Sequence, residues 1–372
     1  MATARVRNGE NEKTMDLTKY PYRVFVSYAD EDRPDASRIV SRLRDLDLQP
    51  VWDQDNPGGW PFVELTKKHI AHSHLFLPLL TNRSVQSPWV NHEIGFAVGR
   101  NVPVLPLSLG PMPDGMAGAL HAEVGKHMDD LLPRLTRERI NGLVEGRPGI
   151  GVYEFADYTD SRTAAIIGHC QELERLAVPQ HPQQPERGVQ HRRLRHRAAF
   201  GSFSLPASPN GEIWKRRYDG EPWRAIDMPK KKALSKERQL LEQQATQFGC
   251  DLVLYPSLPH LTSVAIAARI EILQSFLASM HQSSAAVRVI FDESALGGNV
   301  LIVGDWFCAD SMTPRADGYR HTTLTSHAPT VLDRIVWYEQ MFDDAGKWLS
   351  AYAAITWLDQ HLDAYAGKGT EG

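Results

Sequence analysis

The sequence predicts an α/β protein: a doubly wound, parallel sheet followed by a second α/β domain. Two observations carry this expectation. From residue 20 to about 177, apolar runs with β-branched residues alternate with helical patterns, and such alternation pairs strands in parallel through right-handed crossovers. After a basic, Pro/Gln-containing interruption at 178–235, a second helix-and-strand alternation covers 236–366. A chain of 372 residues has room for two cores, and residues 1–19 read as a polar tail.

The elements of the first domain follow in order. The run at 24–28, Val-Phe-Val-Ser-Tyr, is a buried strand that ends in small and polar groups. Asp30-Glu31-Asp32 comes next, at the carboxyl edge where doubly wound folds place ligands. Residues 36–46 set Ile39, Val40, Leu43 and Leu46 on one helical face. A second strand at 50–52 leads into Asp53 and the turn-rich Asn56-Pro57-Gly58-Gly59-Trp60-Pro61-Phe62. The third strand is 75–80. Ser87 then caps a helix, Pro88 suits its first turn, Trp89 begins its apolar face, and Glu93 lies one turn further on. Strands at 102–109 and 151–155 and a helix at 162–176 complete the domain, with 112–143 irregular and helical.

The middle zone opens on Pro-Gln-His-Pro-Gln-Gln-Pro, a composition unsuited to a packed core. Over 187–238, fourteen Lys/Arg stand against five Asp/Glu in a chain whose net charge is −4. Two readings fit: a solvated linker or the charged start of the second domain on one side, and a segment that binds nucleic acid or phosphate on the other. In the last zone, helices are expected at 237–248, 265–280, 329–342 and 347–362, with strands at 252–255, 287–291 and 300–303. Loops between them carry Asp305, Tyr319, Arg320, His321 and His327. As a group these offer several donors to an anionic ligand; singly, each serves equally well to brace the fold.

Composition excludes several classes. A hydrophobic fraction of 42% and a charged fraction of 23% are those of an ordinary soluble protein. Cys170, Cys250 and Cys308 are odd in number and far apart, which argues for a reducing compartment and against a disulfide framework or structural zinc. His69, His72 and His74 lack a second ligand pair, so no metal is expected. The polar N-terminus has no apolar core of a signal peptide, and no eighteen-residue apolar run occurs, so a cytoplasmic protein without a membrane contact is expected. The glycines of Gly146-Arg147-Pro148-Gly149-Ile150-Gly151 precede a strand instead of following one, unlike a dinucleotide fingerprint. Ser27 and Ser87 have no His and Asp at hydrolase spacing.

Strand, acidic loop, helix, strand and then the Ser-x-Trp-Val-x-x-Glu helix of Ser87 to Glu93 resembles the Toll/interleukin-1 receptor (TIR) domain. The resemblance implies a flavodoxin-like sheet over 20–177. One branch of that family cleaves NAD+, which implies Glu93 as the catalytic residue and Ser27, Tyr28, Asp53, Trp60 and Trp89 as substrate-binding residues. It also implies self-association and no cofactor, NAD+ being the substrate. The glycine-containing loop matches the family's BB loop, in which Trp60 either stacks on a heteroaromatic ring or covers the domain's own core. Val90 stands where many TIR domains carry Cys. The second domain is weakly similar to degenerate phospholipase-D-like regulatory domains; it lacks their His-x-Lys motif, so sensing and not catalysis is implied. Three functions remain open. One is a self-associating NAD+ glycohydrolase of the bacterial abortive-infection type, giving ADP-ribose or a cyclic variant. Another is a non-catalytic TIR adaptor. The last is a sensor of nucleic acid, nucleotide or protein through residues 187–366 whose output is NAD+ cleavage.

Overall fold

The computed structural model describes residues 20–52, 60–110, 122–146, 153–156, 159–176, 192–198, 202–220, 227–255, 261–292, 298–311 and 321–367. They belong to two units, Met15–Tyr153 with Thr325–Asp333, and Glu154–Leu324 with Arg334–Gly372.

The first unit is a sheet of five parallel strands, β1 (Arg23–Ser27), β2 (Gln49–Val51), β3 (Leu75–Leu80), β4 (Leu107–Ser108) and β5 (Glu123–Val124), in the order β2-β1-β3-β4-β5. Its helices are α1 (Arg33–Asp45), α2 (Trp60–Ala71), α3 (Pro88–Gly99), α4 (Met128–Leu131) and α5 (Arg137–Glu145). β1 is buried at all five positions because helices cover both faces of the sheet. Val24 and Val26 join Leu75, Leu77 and Leu79 of β3 in one core with Ile39 and Leu43 of α1 and Ile140 of α5. Phe25 points the other way, stacks on Phe76 at 5.7 Å and meets Val90, Ile94 and Ala97 of α3. Each large side chain buried this way contributes about 1.5–3 kcal/mol. Leu332, far along the chain, also packs in the first of these cores.

Two expectations change here. The strand expected at 151–155 is β6 (Glu154–Ala156), and it pairs antiparallel with β12 (Thr322–Thr325) in the other sheet. The fifth strand of the first sheet is instead the two-residue β5, too short to leave a pattern. The helix expected at 162–176 is α6 (Thr159–Leu176) and also lies in the second unit, so the division expected at 177 falls at 153.

The basic zone is likewise not a linker throughout. It contains β7 (Leu194–Ala198), α7 (Ile213–Arg217) and the start of α8 (Met228–Phe248). The second sheet adds β8 (Cys250–Leu254), β9 (Val287–Phe291), β10 (Asn299–Val303) and β11 (Phe307–Ser311), in the order β6-β12-β11-β10-β7-β8-β9. β7, β8 and β9 are parallel, whereas β10 is antiparallel to both β7 and β11. Two of the arginines that made this zone look like linker, Arg193 and Arg195, are paired inside the fold. Arg193 and Arg288 grip the fully buried Asp251, and Arg195 and Arg288 bond Glu339 of α10 (Ala328–Ala345). Burial pushes the Asp251 carboxyl up, but the hydrogen bonds and charges of Arg288 and Arg193 outweigh it and hold the group well below the usual carboxylate range.

Helix α9 (Ser263–Gln282) is long and apolar enough to cross a membrane by length and composition. Over half of it is buried in the second unit, where it packs on α11 (Ala351–Gly367).

Candidate active site

β1 ends at Ser27 and α3 begins after Ser87, both at the carboxyl edge of the first sheet, where a doubly wound fold presents its loops. Ser87 Oγ accepts the Val90 N–H at 3.5 Å, and Pro88 occupies a first-turn position whose missing donor costs the helix nothing. The register of α3 turns Val90, Ile94 and Ala97 to the core and carries Glu93 inward with them. The Glu93 side chain is buried, 7% exposed, and Ser27 Oγ donates a hydrogen bond to its Oε2. A hydroxyl from the last residue of a central strand thus fixes one carboxylate oxygen, and little rotamer freedom remains for a reaction to freeze out.

The loops around this pair are tied to one another. The acidic run expected to face ligand is a single 3-10 turn, Asp30–Asp32, whose last residue is buried. Asp32 Oδ2 accepts from Thr81 Oγ1 at 2.6 Å, and Arg83 Nη1 lies 3.4 Å from Oδ1. Thr81 Oγ1 also accepts the backbone N–H groups of Arg83 and Ser84 at 3.1 Å. This links the loop after β1 to the one that leads into α3 and holds Ser27 and Glu93 in register. The sequence offered no sign of it beyond the polarity of these residues.

Of the other expected substrate-binding residues, Tyr28 is half-buried with its ring 6.1 Å from that of Trp52, and Trp89 is half-buried one turn before Glu93. Trp60 is the first residue of α2. Its side chain, like Asp53 and the loop at 53–59, lies outside the described residues. The structure therefore brings together Ser27 and Glu93 directly.

The histidines belong to the opposite edge. His74 is fully buried beside Tyr20 and Tyr22, and its Nδ1 accepts the Arg23 N–H at 3.0 Å; Arg23 Nε donates to the His72 carbonyl at 2.8 Å. Burial, then the nearby His72 and Arg23, push His69 down to about 4. No cluster with metal-ligand chemistry occurs among the described residues.

Residues 24–132 match the family model of the TIR domain. The first unit is a TIR domain in fold, with its parallel five-stranded sheet and flanking helices. The match covers under a third of the chain, and it spans Ser27, Asp32, Thr81 and Glu93. No curated protein matches the chain.

Of the residues expected to form a sensor loop, three lie among the described residues. Asp305 is buried in the turn before β11, and His321 lies at that strand's far end, beside Thr322 of β12. Tyr319 and Arg320 lie outside the described residues. His327 belongs to the TIR unit: its ring bonds Thr330 Oγ1 at 2.7 Å and the Asn101 carbonyl at 3.0 Å, and burial pushes its pKa down.

Proposed function

We propose that the TIR domain cleaves NAD+ between nicotinamide and ribose, with Glu93 as the catalytic residue. The observation that carries this reading is the buried Glu93 carboxylate, held by Ser27 at the carboxyl edge of a TIR-type sheet. Nicotinamide leaves as a neutral ring from a positively charged pyridinium, so no acid has to protonate it. The developing oxocarbenium ion at C1′ does need negative charge nearby and hydrogen bonds to the ribose hydroxyls. One placed carboxylate meets both needs, where ordinary glycoside hydrolysis takes two. Water then adds at C1′, giving ADP-ribose, nicotinamide and a proton; attack by an internal nucleophile gives a cyclic product.

The reading extends to control. An NAD+-consuming enzyme in the cytoplasm is toxic unless restrained, so we take self-association of TIR domains as the activating step and the second unit as its regulator, in an antiviral or abortive-infection setting. The TIR fold also serves signalling adaptors, and one assay separates the two. Purified full-length protein is incubated with NAD+ and nicotinamide release is followed by chromatography. Glu93→Gln keeps the shape and removes the charge, and is expected to lower turnover by roughly 10²–10³-fold. Wild-type turnover by a folded Glu93→Gln protein, or no release at any protein concentration, would leave the adaptor reading in its place.

A further inference from the structure

We propose that the second unit binds a purine nucleotide in a cleft between α6 and α8, with the base in an apolar slot and the phosphate at Arg192. This assignment stands apart from NAD+ cleavage and would hold for an adaptor as well.

The cleft has a volume of about 250 Å³. That is larger than the roughly 150 Å³ that suffices for benzene and below the roughly 300–1,000 Å³ of drug-sized pockets. A two-ring heterocycle suits it. Its walls are Leu173 of α6, Leu240 of α8, Val303 at the end of β10 and Trp306 in the following turn, all buried. Cys170 lies among them, its thiol pushed up to about 12 by burial and by the carboxylates of Glu237 and Glu174, so it stays neutral and the floor stays apolar.

One end is constructed for close approach. Gly304 has φ +56, and a Cβ there would sit 3.2 Å from Trp306 Cδ1 and 3.4 Å from Arg192 Cα. Only glycine lets this turn bring Trp306 so near the segment that leads into β7. Gln244 Nε2 donates to the Arg192 carbonyl at 2.8 Å and fixes that backbone to α8. The Arg192 guanidinium lies 5.5 Å from the Phe248 ring and lines the cleft. It is thus a cation at the mouth of an aromatic slot, suited to a phosphate.

The rim supplies the remaining recognition. Gln243 and Gln247, one turn apart on α8, are exposed and line the cleft, and their amides carry the donor–acceptor pairs that match a purine edge. Glu174 on α6 is exposed on the same rim and can accept from ribose hydroxyls.

The test is calorimetric titration of the full chain with AMP, adenosine, UMP and inorganic phosphate. The expected result is saturable one-to-one binding of AMP, with UMP and phosphate each weaker. Arg192→Ala should weaken AMP by roughly tenfold or more while adenosine is unaffected. Gln243→Trp, at an exposed position where folding is not at stake, should block the slot and remove both ligands. Three results would overturn the assignment: no saturable AMP binding, AMP binding that survives both substitutions, or UMP or phosphate binding as tightly as AMP.

Discussion

His196 makes the second unit acid-sensitive by an amount that the structure sets. It lies in the middle of β7, fully buried; its Nε2 accepts the Ser202 N–H at 3.1 Å, so Nδ1 carries the proton and donates to the Val300 carbonyl at 3.1 Å. Both nitrogens are used by the neutral ring. Burial, reinforced by the nearby Arg162 charge, pushes its pKa down to about 3. In the unfolded chain an imidazole titrates near 6.5. The folded pKa is the lower one, so the unfolded state binds more protons, and stability is full above about 6.5 and falls as the pH drops towards 3. At pH 5 the unfolded ring is almost fully protonated and the folded one almost not at all. Spanning about 1.5 pH units, this difference costs about 2 kcal/mol. The assay is urea denaturation of the full chain at pH 8 and pH 5, with hydrogen exchange of the Leu194–Ala198 segment reporting on the second unit. His196→Gln removes the titrating group, so it should destabilise at pH 8 but flatten the pH dependence. An unchanged difference between pH 8 and pH 5 in that variant would refute the reasoning.

Three further outcomes are expected. Ser27→Ala should lower NAD+ turnover by roughly ten- to a hundredfold, with KM little altered, because a hydrogen bond to a charged group is worth about 1.5–3 kcal/mol; an effect confined to KM would move Ser27 from positioning Glu93 to binding substrate. Asp251→Ala should destabilise the second unit by about 3–5 kcal/mol, since it leaves Arg193 and Arg288 without their shared buried partner; denaturation midpoints within error of wild type would contradict this. Specific activity should rise with protein concentration if stacking of TIR domains opens the site, and constancy across dilution would remove self-association from the mechanism.

The TIR half was legible because its signals are local. β1 and β3 read as continuous apolar runs, since both faces of each are covered, and the Ser87–Pro88 start of α3 fixed where Glu93 would sit. What escaped depends on pairing. β6 looks like any short strand, and nothing near it says that its partner is β12, more than 160 residues later. β7 was hidden by its own chemistry. Leu-Arg-His-Arg-Ala alternates faces as a strand does, but one face carries two arginines, and the partner that lets Arg195 be buried includes Glu339 on a distant helix. Asp305 and His321 are close in sequence, yet the length of β11 lies between them. At the site, the end of β1 and the start of α3 were legible as neighbours at one sheet edge, while the Ser27–Glu93 hydrogen bond and the Asp32–Thr81 link depend on contacts between segments far apart in the chain.

The segment Thr325–Asp333 has a bearing on how the protein is made. It is translated after the strands of the second sheet, though before α11, yet Leu332 packs in the TIR core and the His327 ring bonds the Asn101 carbonyl. A ribosome that stalls after residue 153 has produced the whole parallel sheet with a gap in its interior. Truncated products of this gene would therefore carry Ser27 and Glu93 on an unfinished scaffold, and the finished scaffold arrives only with a chain that already contains the strands of the second sheet. If the domain is a toxic NAD+ consumer, the order of synthesis itself keeps the catalytic half from maturing alone.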